Sequence, residues 1–212
     1  MSSHKDPKDE EPAHTLGHFP TLAGIDPGAL RGRFARLSVV AQVPIEGGVS
    51  RSLLVNVVRL SERSIGKYNS ARTHFESYID RESNEVALTA LMECTDDFED
   101  LINSLHRGFI FVEVVRHQGH LSAYAKLELK EVGALIETVE ELRHGIEHRD
   151  KQLRDQRSDY GAPFLAFGNE CVYVGNRSMR IDELAHLVRT LYTVGWSIVQ
   201  PAGRWIKQSP QT

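Results

Sequence analysis

Six consecutive residues near the middle of the chain combine side chains that can do phosphate or metal chemistry: Arg143-His144-Gly145-Ile146-Glu147-His148. An arginine binds phosphate through several charged N–H donors, and a histidine exchanges protons near neutral pH. On this interpretation the catalytic candidates are Arg143, His144 and His148. The candidate substrate-binding residues are their charged neighbours Glu147, Arg149 and Lys151.

The same segment contains the order His-x-x-Glu-His, which is typical of a class of zinc-dependent hydrolases. His144 and His148 are four residues apart and share one face of a helix, so they suit two ligands of one zinc ion, with Glu147 as general base. A third protein ligand would have to come from Glu170 or Glu183. Because neither stands in a clear ligand motif, and because a glycine weakens the helix between the histidines, we expect no metal and no cofactor.

A third interpretation involves no chemistry. The segment belongs to a dense mixed-charge stretch in which Glu147 and Lys151 have favourable i,i+4 spacing. Such a stretch is typical of a solvated helix face or of a non-catalytic interaction and dimerisation module. The spacing from Arg143 to His148 does not by itself indicate catalysis, because Arg180 and His186 have a similar spacing in the last predicted helix.

Composition narrows the class of protein. The 212 residues fit one domain with a real core, and the net charge of −4 argues against a generally basic nucleic-acid binder, although a local patch can still bind phosphate. Cys94 and Cys171 are too few for a disulfide framework or a cysteine zinc site. The polar start of the chain is unlike a secretory signal, and no apolar run approaches a membrane span of about 20 residues. We therefore expect a cytoplasmic protein without membrane contact.

The chain divides into three parts on its sequence pattern. Residues 1–32 lack periodicity and predict a flexible tail, residues 33–205 predict one helical domain, and residues 206–212 predict a second short tail. Within the domain, the β-branched residues of 34–43 predict a short strand or extended segment.

Apolar residues at three- and four-residue spacing predict the main helices. The first three cover residues 50–79, a stretch from about 84 to beyond 105, and roughly 121–156, the last of which contains Arg143 and His148. A hairpin around Gly168 follows, and then a helix capped by Asp182 and stopped by Pro201. The predicted fold is mainly α: a four-helix bundle with a small β-hairpin insertion before the last helix.

The stretch from Glu141 to Asp150 resembles the Arg-polar-x-x-x-His motif of the HEPN superfamily of small helical-bundle proteins. His144 stands at the polar position and Ile146 at the apolar position two before the final histidine. The resemblance covers the predicted bundle, roughly residues 50–200. It implies metal-independent cleavage or binding of RNA in a toxin or antiviral setting. It also implies a homodimer and an antitoxin or other protein partner.

The family resemblance implies a role for each motif residue. His148 would act as general acid or base, Arg143 would stabilise charge on the phosphate, and His144 would orient the substrate. Positions five apart on a helix point about 140° away from each other, so Arg143 and His148 of one straight helix cannot hold the same phosphate. Either the helix breaks near Gly145, or two chains contribute one motif each. We expect the second: a composite site at a homodimer interface.

Overall fold

The computed structural model describes residues 19–40, 51–80, 85–154, 166–168 and 170–199. These residues form six helices and a small three-stranded sheet. The helices are α1 (Ala29–Val40), α2 (Arg51–Ile79), α3 (Glu85–His117), α4 (Ala123–Glu131), α5 (Gly133–Arg154) and α6 (Ile181–Val199). The strands, between α5 and α6, are β1 (Ala166–Gly168), β2 (Cys171–Val174) and β3 (Arg177–Arg180). The predicted mainly helical fold with a small β insertion before the last helix is confirmed.

The predicted third helix is two helices, α4 and α5, and α1 is a helix that the sequence pattern did not predict, so the described residues contain six helices rather than four. The chain leaves α4 at Val132, whose backbone has φ −98° and ψ 8° and whose side chain is fully buried. The hydroxyl of Ser122 caps the start of α4 by accepting a hydrogen bond of 3.1 Å from the N–H of Ala125. The candidate segment therefore lies on α5 alone, which starts just after this break.

The strand predicted for residues 34–43 is wrong over its described part, because α1 continues to Val40. The carboxylate of Glu62, a buried residue of α2, accepts hydrogen bonds from the backbone N–H groups of Gly28 at 2.7 Å and Arg31 at 3.2 Å. It thus binds the free donors at the start of α1, where negative charge also complements the helix dipole. A residue more than thirty positions away supplies this stabilisation, so no local pattern indicates it.

From Phe19 on, the segment predicted as a flexible tail packs against the core; residues 1–18 lie outside the described part. The ring of Phe19 is buried, with centroids 4.7 Å from Phe75, 5.5 Å from Phe98 and 6.3 Å from Tyr68. The Tyr68 hydroxyl donates a hydrogen bond of 2.9 Å to the carbonyl of Pro20. This segment therefore covers one face of the α2–α3 pair.

Helix α6 forms the centre of the fold and packs against the other five helices. Two glycines allow close contact there. A Cβ at Gly108 of α3 would lie 2.6 Å from Leu191, and one at Gly195 of α6 would lie 2.9 Å from Leu30 of α1. Because real Cβ atoms do not approach this closely, a side chain at either position would have to displace the end of the leucine side chain that now packs on the glycine. None of the described helices has the length and apolar content needed to cross a membrane.

The sheet is antiparallel with strand order β1-β2-β3. The predicted hairpin is confirmed, but Gly168 pairs with Cys171 inside the ladder, and Glu170, with φ +64°, lies in the turn. At the junction with α6, the carboxylate of Glu183 accepts a hydrogen bond of 2.9 Å from the N–H of Arg180. Asp182, predicted as the cap, lies in the first turn of α6 instead.

Glu62→Ala is expected to lower the free energy of unfolding by about 1–3 kcal/mol, because two partly buried N–H groups lose their acceptor. Urea unfolding followed by circular dichroism measures this change. The control is Glu76→Ala, which removes a partly exposed i,i+4 ion pair with Arg72 and should cost less than about 1 kcal/mol. Equal losses in the two variants would contradict the capping role of Glu62.

Candidate functional site

Helix α5 runs without interruption through Gly145, so the alternative in which the helix breaks there is wrong. The structure gives this glycine another role. A Cβ built on it would lie 2.7 Å from Cγ1 of Val174, the last residue of β2. Gly145 is therefore the point at which the sheet packs directly on α5. Since the helix is continuous, Arg143 and His148 of one chain stay on different sides of it.

The structure separates the predicted site residues. Arg143 is half-buried, with 27% of its side chain exposed, and pairs with the exposed carboxylate of Glu147. His144 and His148 are exposed, with ring centroids 6.4 Å apart. Arg149 and Lys151 belong to α5, but their side chains lie outside the described part of the structure.

The zinc interpretation lacks a third ligand in the part of the chain that the structure describes. His144 and His148 share a helix face as predicted, but no group of three or more His, Cys, Asp or Glu side chains in the described ranges could hold a metal ion. Of the two proposed third ligands, Glu183 accepts a backbone hydrogen bond at the start of α6, and Glu170 lies in the β1–β2 turn.

An open cleft of about 480 Å³ lies between α2, α3 and α5. Its most distinctive feature is a set of four arginines contributed by all three helices: Arg59, Arg63, Arg107 and Arg143. The other lining residues are Leu60, Asp100, Asn103, Ser104, His106, Ile110 and Glu147. We call this feature the basic cleft. Of the residues predicted from the sequence, Arg143 and Glu147 line it.

The four arginines differ in how they are held. Arg63 pairs with Asp100 at 2.8 Å and Arg143 pairs with Glu147, whereas Arg59 donates to the neutral amide oxygen of Asn56 at 3.2 Å. Arg107 is exposed and has no carboxylate partner among the described residues. Two carboxylates therefore face four guanidinium groups, and the basic cleft keeps a positive excess in a chain whose net charge is −4.

The carboxylate of Asp100 stays ionised in this setting. Burial by itself raises the pKa of Asp100, but the hydrogen bonds from Lys67 and Arg63 outweigh it and hold this pKa below its ordinary value. Asp100 thus neutralises Arg63 and fixes its position at the side of the cleft. The positive charge left to meet a ligand comes mainly from Arg59 and Arg107.

His106 is the one histidine that lines the basic cleft in the described part of the chain, and like Arg59, Arg63 and Arg107 it was not among the residues predicted from the sequence. Only 9% of it is exposed, and its Nδ1 is buried without a hydrogen-bond partner in the described part of the protein. Burial lowers the pKa of His106, and the charge of Arg143 lowers it further. His144 acts in the same direction, and Glu140 and Glu147 act against it. The imidazole is therefore neutral at pH 7.

A weak sequence signal for His106 exists. It lies on α3 among the buried apolar residues Leu101, Ile102, Leu105 and Phe109, where a histidine is unexpected. A buried polar side chain in an apolar stripe indicates either a satisfied core contact or a site. The sequence does not distinguish a core contact from a site at His106, because the difference depends on which residues of α2 and α5 lie beside the imidazole.

A scan against protein-family models, a search of curated proteins and a search of solved structures each found no match to this chain. The function of the basic cleft is therefore inferred from its own geometry and charge.

Gly145→Ala is expected to lower the free energy of unfolding by up to about 2 kcal/mol. Overpacking against Val174 costs about 1–3 kcal/mol, and it outweighs a gain in helix propensity of about 1 kcal/mol. In a Val174→Ala background the same substitution should stabilise the protein, since the close contact is gone and the propensity gain remains. Urea unfolding of the four proteins measures both effects. The same loss in both backgrounds would refute the packing role of Gly145.

The burial of neutral His106 predicts a pH dependence of stability. The pKa of His106 in the folded protein lies below the ordinary 6.5. Just below pH 6.5, His106 is therefore protonated to a greater extent in the unfolded chain than in the folded protein, which favours unfolding. The free energy of unfolding should therefore fall as the pH drops below 6.5. His106→Gln should remove this part of the dependence, and His117→Gln, at a side chain 74% exposed, should retain it. Equal pH profiles for the two variants would contradict the assignment.

Proposed function

We propose that this protein binds RNA by holding backbone phosphates in the basic cleft. The observation that carries the proposal is the convergence of four arginines from three helices on one cleft in an otherwise acidic chain. Phosphate contacts supply most of the affinity of nucleic-acid binding, and arginine forms paired hydrogen bonds with phosphate oxygens. Arg59 and Arg107 meet the phosphates directly, because neither is neutralised by a described carboxylate.

The size and lining of the basic cleft suit a single-stranded nucleotide unit. Its volume of about 480 Å³ lies within the usual range of ligand sites. Beside the arginines it offers the apolar side chains of Leu60 and Ile110 and the polar side chains of Asn103 and Ser104. Unpaired RNA bases stack on guanidinium planes and form hydrogen bonds along their exposed edges, so this mixture accommodates a base and a ribose as well as a phosphate.

The location of Arg143 supports the HEPN-like form of the proposal, in which the protein acts on RNA in a toxin or antiviral setting. The arginine of the motif lies in the basic cleft, which is where a phosphate-binding role requires it. The four long helices α2, α3, α5 and α6 would then correspond to the family's four-helix bundle, with α1 and α4 as additions. Fold likeness of this kind does not establish an activity, so the proposal rests on the charge and the lining of the basic cleft.

RNA binding in the basic cleft needs only one chain. Joint action of Arg143 and His148, by contrast, needs a second chain, because α5 is continuous between them. The composite site in a homodimer is therefore the form that this proposal takes if the motif histidine does the chemistry. The two forms share Arg143, and only the two-chain form uses His148.

Arg107→Ala is expected to weaken binding of a labelled single-stranded RNA about tenfold, since it removes one charged phosphate contact of the strength usual for such groups. Fluorescence anisotropy over a range of salt concentrations measures the affinity, and the variant should also lose part of the salt dependence. The matched control is Arg116→Ala, an exposed arginine of the same helix that lies outside the cleft lining and pairs with Glu113. Its affinity for RNA should be unchanged.

Three outcomes of this experiment would count against the proposal. Failure of the unsubstituted protein to bind RNA would refute it. Equal effects of Arg107→Ala and Arg116→Ala would show that binding does not involve the basic cleft. Full competition by a DNA oligonucleotide of the same sequence would show that the cleft recognises phosphate without selecting RNA, which contradicts the proposed substrate.

A further inference from the structure

His106 and Arg107 are adjacent on α3, and both line the basic cleft. Arg143 lies on α5, close enough for its charge to act on the imidazole. The cleft therefore holds a neutral imidazole and guanidinium groups from three helices within one chain. The sequence motif brings no such pair together, because His148 is exposed and lies outside the lining of the cleft.

The state of His106 does not match a purely structural role. A buried ring nitrogen without a hydrogen-bond partner destabilises a fold, and the described residues supply no partner for Nδ1. A side chain that only fills space on an apolar helix stripe would be better replaced by leucine or phenylalanine. Nδ1 itself is closed to solvent, whereas His106 as a residue lines the basic cleft beside Arg107 and Arg143. A histidine whose pKa is shifted by burial and by a neighbouring charge, and which lines a cleft, is typical of a group that takes part in chemistry.

We propose that His106 accepts the proton of a ribose 2′-hydroxyl when RNA occupies the basic cleft, so that each chain cleaves RNA by itself. This inference rests on the proposed function, and it moves the reacting histidine from the α5 motif to α3. The neutral ring described above is the form that accepts a proton at pH 7.

The reaction is an internal transesterification. The proton of the 2′-hydroxyl moves to the imidazole of His106 while O2′ attacks the neighbouring phosphorus, and the bond from phosphorus to O5′ breaks. The departing O5′ takes a proton from water, and the hydroxide left behind takes the proton from His106. The products are a 2′,3′-cyclic phosphate and a free 5′-hydroxyl. Arg107 and Arg143 stabilise the negative charge that builds up on the phosphate oxygens during the attack.

The test follows cleavage of a 5′-labelled single-stranded RNA with protein in excess and EDTA present, alongside RNA binding by anisotropy. His106→Gln and His106→Asn retain a polar side chain of similar size but cannot accept the proton as imidazole does. Each should slow cleavage about 100-fold or more, with RNA affinity and thermal unfolding temperature little changed. His117→Gln, at an exposed histidine of the same helix, should cleave normally. A single 2′-deoxy substitution should abolish cleavage at that position.

The outcomes separate this inference from the proposed function. RNA binding without cleavage by the unsubstituted protein would refute the role of His106 and leave the binding proposal standing. Absence of RNA binding would refute both. Loss of cleavage in His148→Ala together with full cleavage in both His106 variants would overturn the inference in favour of the two-chain site. Dependence of cleavage on a divalent metal would also overturn it. If His106→Gln proves unstable, His106→Asn decides the question.

Discussion

Lys67 of α2 joins two carboxylates of α3, with its ammonium 2.8 Å from Asp97 and 2.9 Å from Asp100. Asp97 is buried and also lies 3.1 Å from a ring nitrogen of His74, so the pairing must be maintained to avoid an uncompensated buried charge. These contacts set the register of α2 against α3. The basic cleft depends on that register, since it places Arg63 beside Asp100.

The arginines of the basic cleft that pair with carboxylates and those that do not have different roles. Arg63 and Arg143 are held by carboxylates, which orient the side chains and reduce their net charge. Arg59 and Arg107 lack such partners among the described residues and supply the attraction for a phosphate. The same surroundings keep His106 neutral, because burial and a nearby guanidinium both disfavour its charged form. An electropositive cleft and a neutral base are thus consequences of one arrangement.

Periodicity predicted the long helices well, because each must bury one continuous apolar stripe. It failed at Val132, which fits the stripe equally well whether the helix continues or breaks there, since the residue is buried in either case. It also failed at α1, whose start is capped by Glu62 from a distant part of the chain. The turn of the hairpin was predicted, but its position depends on the pairing of Gly168 with Cys171.

The sequence by itself determined the helical class, the β insertion and two members of the basic cleft, Arg143 and Glu147, through local spacing and residue type. Only the tertiary structure decided which other arginines join them and that His106, rather than His148, lies in the same cleft. The physical reason is that apolar spacing reports which face of a helix is buried. Which charged side chains meet in a cleft depends instead on the register between helices. Arg63 and Asp100, which form one ion pair, are 37 positions apart in the chain, so no local pattern predicts their contact.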